Sequence, residues 1–395
     1  MPPIAKHSQR KLFFYRALAA LEASMRDRPA LAPGNLRAIR NFLFLQYDSP
    51  LGSAVHATPL FEAIKRAMPD AHISVAASKI AASVLANNPF VDRCIVTPDP
   101  WQDFFGAVRA IRAMHQALPA GPACVVTTLG NQRSRLAFLA MHAASDAVRV
   151  GYMLAAPMYD LPLPVDLERS QIEHNLDILR ALGHPADTFE PRIFFRRKDA
   201  EYAKRLLLES GQLEERPRIV YVTQNSGGQP NKWRRERFQQ VVNTLDAELN
   251  AHSVFVGTAQ EAPEIFALRE SLTEKGSSLA GKTTISQLAA VCAQCDLVIS
   301  LDTGTFHVAR AVGLPGVVIA PGWQNPVEWL PIHQPRYKVL WDGPRSKNPS
   351  ELFLDEIRTE QVIDAAKELL CDIDLQTRDV RVNAALCDNG SITLY

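Results

Sequence analysis

At 395 residues the chain is longer than one hydrophobic core usually supports, so two domains are the starting expectation. A balance of 43 basic against 42 acidic residues removes the electrostatic case for a nucleic-acid partner. No apolar run reaches the roughly 18 to 20 residues of a membrane span, no signal-peptide pattern opens the chain, and the cysteines suggest no disulfide framework, which together predict a reduced, cytoplasmic protein.

Residues 1–38 form a basic extension with a helical pattern, in which Lys6, Arg10, Lys11, Arg16, Arg26 and Arg28 alternate with Leu12, Phe13, Phe14, Leu18, Leu21 and Met25. Such a helix suits peripheral contact of residues 6–28 with an anionic membrane at its inner face, or, more plainly, packing on its own domain. Residues 39–184 then alternate strands and helices. The run 41–47 is short, apolar and β-prone, a loop holds Pro50 and Gly52, and a helix is predicted over 54–68. Further strands are predicted at 72–76, 93–97 and 123–127, and a helix at 171–182, the pattern of a parallel sheet covered on both faces.

Pro185 and Pro191 mark a linker over 185–197, after which the alternation resumes in a second domain, 198–358. Its strands are read at 218–223, 253–257, 297–301 and 316–320, its helices at 235–249, 261–274, 285–295 and 305–312. Residues 359–395 add a late helix over 359–370, placed to pack back on the other domain, and a tail. The fold class is therefore α/β, with two doubly wound, Rossmann-like domains whose strand C-terminal ends face one cleft.

The strongest local signal is Asp302-Thr303-Gly304-Thr305-Phe306-His307, directly after the apolar strand and opening a helix. A glycine turn with free N–H groups at a helix start is an anion site, suited to a diphosphate. Asp302 is placed to accept sugar hydroxyls and His307 to donate to a phosphate oxygen; a plain helix cap and a core histidine fit the same letters. The loop 225–233, Asn-Ser-Gly-Gly-Gln-Pro-Asn-Lys-Trp, brings Lys232 to the same sheet edge as a point cation, without the spacing of a P-loop. Gly257 and Glu261 follow a third strand, where a carboxylate can hold ribose hydroxyls or simply favour a helix start. In the first domain the equivalent loop runs from Asp48 through Gly52 and Ser53 to His56, and Asp48 and His56 are its titratable side chains and hence the candidate bases for an acceptor hydroxyl. Cys292 and Cys295 form a C-x-x-C with no second pair or histidines, which reads as two small residues on a core helix face.

Taken in order, these pieces resemble glycosyltransferase family 9, the ADP-heptose:lipopolysaccharide heptosyltransferases. The likeness runs collinearly from Asn41 to Ala366 through His56 with Thr58-Pro59, the stretch 68–73, Asn88-Pro89-Phe90-Val91-Asp92, Lys232-Trp233, Gly257 with Glu261, Asp302-Thr303-Gly304 with His307, and 311–315. The resemblance implies a GT-B fold and an inverting transfer from a nucleotide sugar, the donor being a substrate, with no cofactor and no metal. It implies that Lys232 and the Thr303-Gly304-Thr305 backbone hold the diphosphate, Glu261 the ribose and Asp302 the donor sugar, and that the acceptor is a glycan or lipid-linked saccharide. One position departs: the family's loop glycine is typically followed by an aspartate taken as the base, whereas Gly52 is followed by Ser53, whose hydroxyl is no base at neutral pH. Asp48 or His56 as base, a different acceptor, a silent nucleotide-sugar binder and a GT-B-like epimerase all remain compatible with that serine.

Overall fold

The computed structural model describes residues 31–395 except 48–49, 145, 153–157, 188–189, 210–214, 226–230, 323–324, 342, 344–351, 372–376 and 389–395; before residue 31 it describes only 17, 20 and 21. The amphipathic stretch 6–28 and the candidate base Asp48 thus lie outside the described residues. The chain divides into two compact units, the first ending at Glu190 and the second beginning at Pro191.

In the first unit, strands β1 (Asn41–Gln46), β2 (His72–Ala77), β3 (Arg93–Val96), β4 (Ala123–Val126), β5 (Val148–Tyr152) and β6 (Leu161–Leu163) form one sheet in the order β3-β2-β1-β4-β5-β6. Every pairing is parallel, which fits strands that are apolar almost throughout. Its principal helices are α1 (Leu51–His56), α2 (Thr58–Ala67), α3 (Lys79–Leu85), α4 (Phe104–Gln116), α5 (Ser134–Ala143) and α6 (Gln171–Ala181). The two faces of β1 show how the sheet is covered. Leu43 and Leu45 pack with Ile111 and Met114 of α4 and Leu136 and Leu139 of α5, while the ring of Phe44 meets Phe61 of α2 edge-on at 4.9 Å. The single helix predicted over 54–68 is in fact two, broken at Ala57. Pro59 lies in the first turn of α2, where its missing N–H costs nothing; inside one continuous helix it would break a backbone bond.

In the second unit, β7 (Arg218–Val222), β9 (His252–Phe255), β10 (Ser277–Ser278), β11 (Leu297–Leu301), β12 (Gly316–Ala320) and β13 (Tyr337–Trp341) make a second parallel sheet, ordered β10-β9-β7-β11-β12-β13. A two-stranded ribbon pairs β8 (Asn231–Lys232) with β14 (Leu352–Phe353). The helices that matter here are α7 (Arg197–Glu209), α8 (Arg235–Leu249), α9 (Ala262–Glu270), α10 (Ile285–Ala293), α11 (Gly304–Ala311) and α12 (Thr359–Cys371). One core joins Ile219, Ile299, Leu301, Val317 and Ile319 of the strands to Phe238, Val241 and Leu245 of α8 and to Val362, Ile363 and Ala366 of α12. The late helix, read from the sequence as packing on the other domain, packs on the second unit itself, because its apolar stripe completes that unit's own core. Among the described residues no helix is long and apolar enough to cross a membrane.

Candidate functional site

In the second sheet β7 is the first strand, with β9 on one side and β11 on the other, so chain direction across the sheet reverses between β7 and β11. Crevices at such switch points, beyond the carboxyl ends of the strands, are where open α/β sheets bind ligands. The register pairs Val222 with Ser300, which brings Thr223 and the Asp302–Thr305 turn to the two sides of that crevice. Tyr221 pairs with Phe255, so Gly257 and Glu261 flank the same edge one strand further out.

The turn after β11 has the features of an anion cradle. Asp302 and His307 are buried, whereas Thr303, Gly304 and Thr305 are half-buried, so the glycine turn is not sealed in the core. Thr303 is the N-cap of α11 in extended conformation with no side-chain cap bond, and its Oγ1 is buried without a hydrogen-bond partner. Across the crevice Thr223 repeats the situation: it is 5% exposed and its hydroxyl also lacks a partner. The open Thr303 hydroxyl, beside the first N–H groups of a helix, can take up an anion's oxygens. The carboxylate Oδ1 of Asp302 stands 3.9 Å from Nε2 of His307. Burial raises the Asp302 carboxyl to about 7. Burial, aided by the charge of Arg310, lowers the His307 imidazole to about 3. Near neutral pH the Asp302 carboxyl is thus poised between its protonated and ionised forms, beside an imidazole that carries no charge.

Lys232 is exposed, and its backbone is fixed from a distance. Phe353 pairs with it in the ribbon, the amide of Leu354 donates to its carbonyl at 2.9 Å, and the next indole, Trp233, donates from Nε1 to the Ile357 carbonyl at 3.0 Å. Glu261 is held by its own turn. Its Oε2 accepts from the amide and the hydroxyl of Thr258 at 2.6 and 3.0 Å, which leaves Oε1 for another donor. Gly257 is required by this arrangement, since a Cβ there would stand 2.8 Å from Oε2 of Glu261 and 3.0 Å from Ile265.

The first unit has its own switch point, between β1 and β4. Gly52, Ser53 and His56 all lie on α1 and are buried. Ser53 is 4% exposed and packs against the 129–131 turn so closely that a Cβ on Gly130 would fall 2.7 Å from its own Cβ. His56 is 1% exposed, and its carbonyl accepts from Nδ2 of Asn175 at 3.0 Å. Both placements suit packing better than proton transfer to an acceptor in solvent. A polar network absent from the sequence reading organises this edge: Gln46 donates to Thr128 at 2.9 Å, Asn131 donates to Gln46 at 2.7 Å and accepts from the Tyr47 amide at 2.8 Å, and Asn175 accepts from the Leu129 amide at 3.1 Å. Its only signal in the sequence is a glutamine closing an otherwise apolar strand; the partners are 82 to 85 residues away.

Cys292 and Cys295 are both fully buried, and burial raises both thiols, that of Cys295 to about 12, so they serve as small apolar residues of α10 and its end. Among the described residues no group of three or more His, Cys, Asp and Glu is placed to hold a metal ion.

The family model described as "Glycosyltransferase family 9 (heptosyltransferase)" matches residues 133–351, more than half of the chain. The chain is 22% identical over 346 residues to lipopolysaccharide heptosyltransferase 3 of Escherichia coli (strain K12), a match covering 81% of this chain and 95% of that one. Among solved structures it is similar to a family 9 glycosyl transferase from Veillonella parvula DSM 2008, with a TM-score of 0.74 at 21% identity over 85% of this chain and 98% of that one. It is also similar to E. coli ADP-heptose lps heptosyltransferase II, with a TM-score of 0.68 at 19% identity over 84% and 98% of the two chains.

Proposed function

The chain belongs to glycosyltransferase family 9, the heptosyltransferases, and on that premise we propose that it transfers a heptose from ADP-heptose to a lipopolysaccharide acceptor, with inversion and without a metal. Its two-sheet α/β fold is the GT-B fold of that family. The observation that carries the donor side is the 302–305 turn, where a half-buried glycine, helix-start amides and the unpartnered Thr303 hydroxyl meet at the sheet's switch point.

In this reading the acceptor hydroxyl attacks the anomeric carbon from the face opposite the diphosphate. The carbon–oxygen bond to the diphosphate breaks, and ADP departs with the electron pair. Charge grows on the leaving phosphate in the transition state, where the amides of Gly304 and Thr305, set by the helix start, and the ammonium of Lys232 receive it. Glu261 offers Oε1 to the ribose, and the buried Asp302 carboxyl, raised to about 7, accepts from the donor sugar's hydroxyls when ionised and donates to them when protonated. With Ser53 and His56 buried, the acceptor proton falls to Asp48, the remaining titratable side chain of that loop. Work at the inner membrane face, where a lipid-linked acceptor is presented, completes the proposal.

ADP added without metal should raise the melting temperature, and Lys232→Ala should reduce the increase. Asp48→Asn should keep the ADP shift and lose sugar transfer. No stabilisation by ADP, or full transfer by Asp48→Asn, overturns the donor or the base assignment respectively.

A further inference from the structure

Two neighbouring helices of the first unit, α4 and α5, carry outward faces that sugar transfer does not use. On α4, Ala107, Ile111 and Met114 cover the sheet, while Phe105, Arg109, Arg112 and Gln116 recur at helical spacing on the outer side and are exposed. Phe105 is 74% exposed, more than any other large hydrophobic residue described. The adjoining stripe of α5 is Arg135, Phe138 and His142. Rings join the two stripes into one surface. Phe104 lies 5.8 Å from Phe105 and 5.7 Å from Phe138, centroid to centroid, Phe138 lies 4.2 Å from His142, and the Arg135 guanidinium stands 5.8 Å over the Phe104 ring. An aromatic seam thus runs between the helices and ends in a phenyl ring left in water, an arrangement that marks a contact surface.

Charge decides what covers it. Neither helix contains an acidic residue, and none of Arg109, Arg112 and Arg135 has a carboxylate partner among the described residues. The acids nearest in sequence sit at the ends of the face and already accept hydrogen bonds: Asp99 from the Trp101 amide and Asp103 from the Gly106 amide, both at 2.8 Å, and Asp146 from Nε2 of His115 at 2.7 Å. The middle of the face therefore offers cations and rings only. The chain's own stretch 6–28, with six lysines and arginines against Glu22 and Asp27, has the wrong sign to seat there, and a second copy would set arginine against arginine. We infer that the α4–α5 face rests on an anionic bilayer, with Phe105 among the acyl chains and Arg109, Arg112 and Arg135 on lipid phosphates. The inference rests on the transferase reading, in which the acceptor is lipid-linked. Because α4 follows β3, its start and Phe105 lie toward the carboxyl edge of the first sheet, so lipid held there is presented to that edge.

Co-sedimentation of the full chain with vesicles tests this, one set made of phosphatidylcholine and the other of phosphatidylcholine and phosphatidylglycerol in equal parts. The chain should bind the anionic set, and less so as salt is added. Phe105→Ser should weaken that binding about tenfold, and Arg109→Gln/Arg112→Gln about fivefold for each charge removed. All three side chains are exposed, so the melting temperatures should stay at the wild-type value and show that the variants are folded. Phe266→Ser, which removes a phenylalanine of the second unit that is 60% exposed, should leave vesicle binding unchanged. Equal binding to both vesicle sets, an equal loss in the Phe105 and Phe266 variants, or full binding by the Phe105 and arginine variants, as when the 6–28 stretch is the sole anchor, overturns the inference. So does tighter binding to a single-stranded oligonucleotide than to the anionic vesicles. The ADP thermal shift, read on the same samples, separates the two readings. With the shift present and vesicle binding indifferent to the variants, the docking face falls and the transferase reading stands; with vesicle binding as expected and no shift, the donor reading falls and the docking face stands.

Discussion

Ser53 is where sequence and structure speak most directly to each other. Its departure from the family's aspartate was visible in the letters, but its tight setting was not, because the neighbour that crowds its side chain is Gly130, 77 positions away in the chain. Restoring an acidic residue should therefore fail. Ser53→Asp is expected to overpack the 129–131 turn, cost about 1–3 kcal/mol in chemical denaturation, and confer no gain in sugar transfer. A stable variant with raised activity would return the base to position 53. The buried Asp302 makes a second prediction with a defined sign. An unfolded aspartate releases its proton near pH 4, whereas burial holds the folded one to about 7. Between those values the folded state keeps a proton that the unfolded state has lost, so this residue's contribution to stability is complete below pH 4, falls as pH rises to 7, and is flat above. The Asp302→Asn protein should match wild type near pH 4 and exceed it at pH 8 by up to about 4 kcal/mol in urea unfolding. His307, lowered to about 3, acts in the opposite direction over pH 3 to 6.5, but it is common to both proteins and drops out of the difference. A parallel pair of stability–pH curves would show that Asp302 ionises normally.

Among the elements, strands were the most legible, since a parallel sheet buried on both faces leaves continuous apolar runs that end at loops. The four strands read in the second domain, 218–223, 253–257, 297–301 and 316–320, lie over β7, β9, β11 and β12. The short edge strand Leu161–Leu163 and the two-residue partners in the ribbon were not legible, because two or three residues carry no periodicity and pairing alone defines them. Helix edges moved wherever a proline or a cap overruled the apolar pattern, as at Thr58-Pro59 and at α9, which is shorter than its predicted span. The positions of the candidate donor-side pieces were largely readable, since each sits just after a strand. The network that holds the first unit's loops was not, since its bonds join distant residues. Asn175 is the clearest case: from the middle of α6 it accepts from the Leu129 amide and donates to the His56 carbonyl. Asn175→Ala deprives two buried backbone groups of this partner and should lower stability by about 2 kcal/mol or more, with a melting temperature several degrees down. An unchanged melting temperature would mean that those loops are held by something else.

At the scale of the molecule, each unit has its own six-stranded sheet and its own apolar core, so unfolding is not expected to be a single cooperative event. Calorimetry should resolve two transitions or a van't Hoff enthalpy below the calorimetric one, and ADP should move the transition of the second unit alone, by mass action. A single transition shifted as a whole would instead mean that the units melt together. The ribbon of β8 and β14 carries a separate consequence, for how the protein is made. Lys232 lies early in the second unit, yet the strand and carbonyl that fix it and its neighbour Trp233 are Leu352–Phe353 and Ile357. A ribosome has therefore translated more than a hundred further codons before Lys232 acquires its lasting neighbours, and a transcript cut short ahead of Leu352 would yield a chain with a whole first sheet and an unfinished second unit.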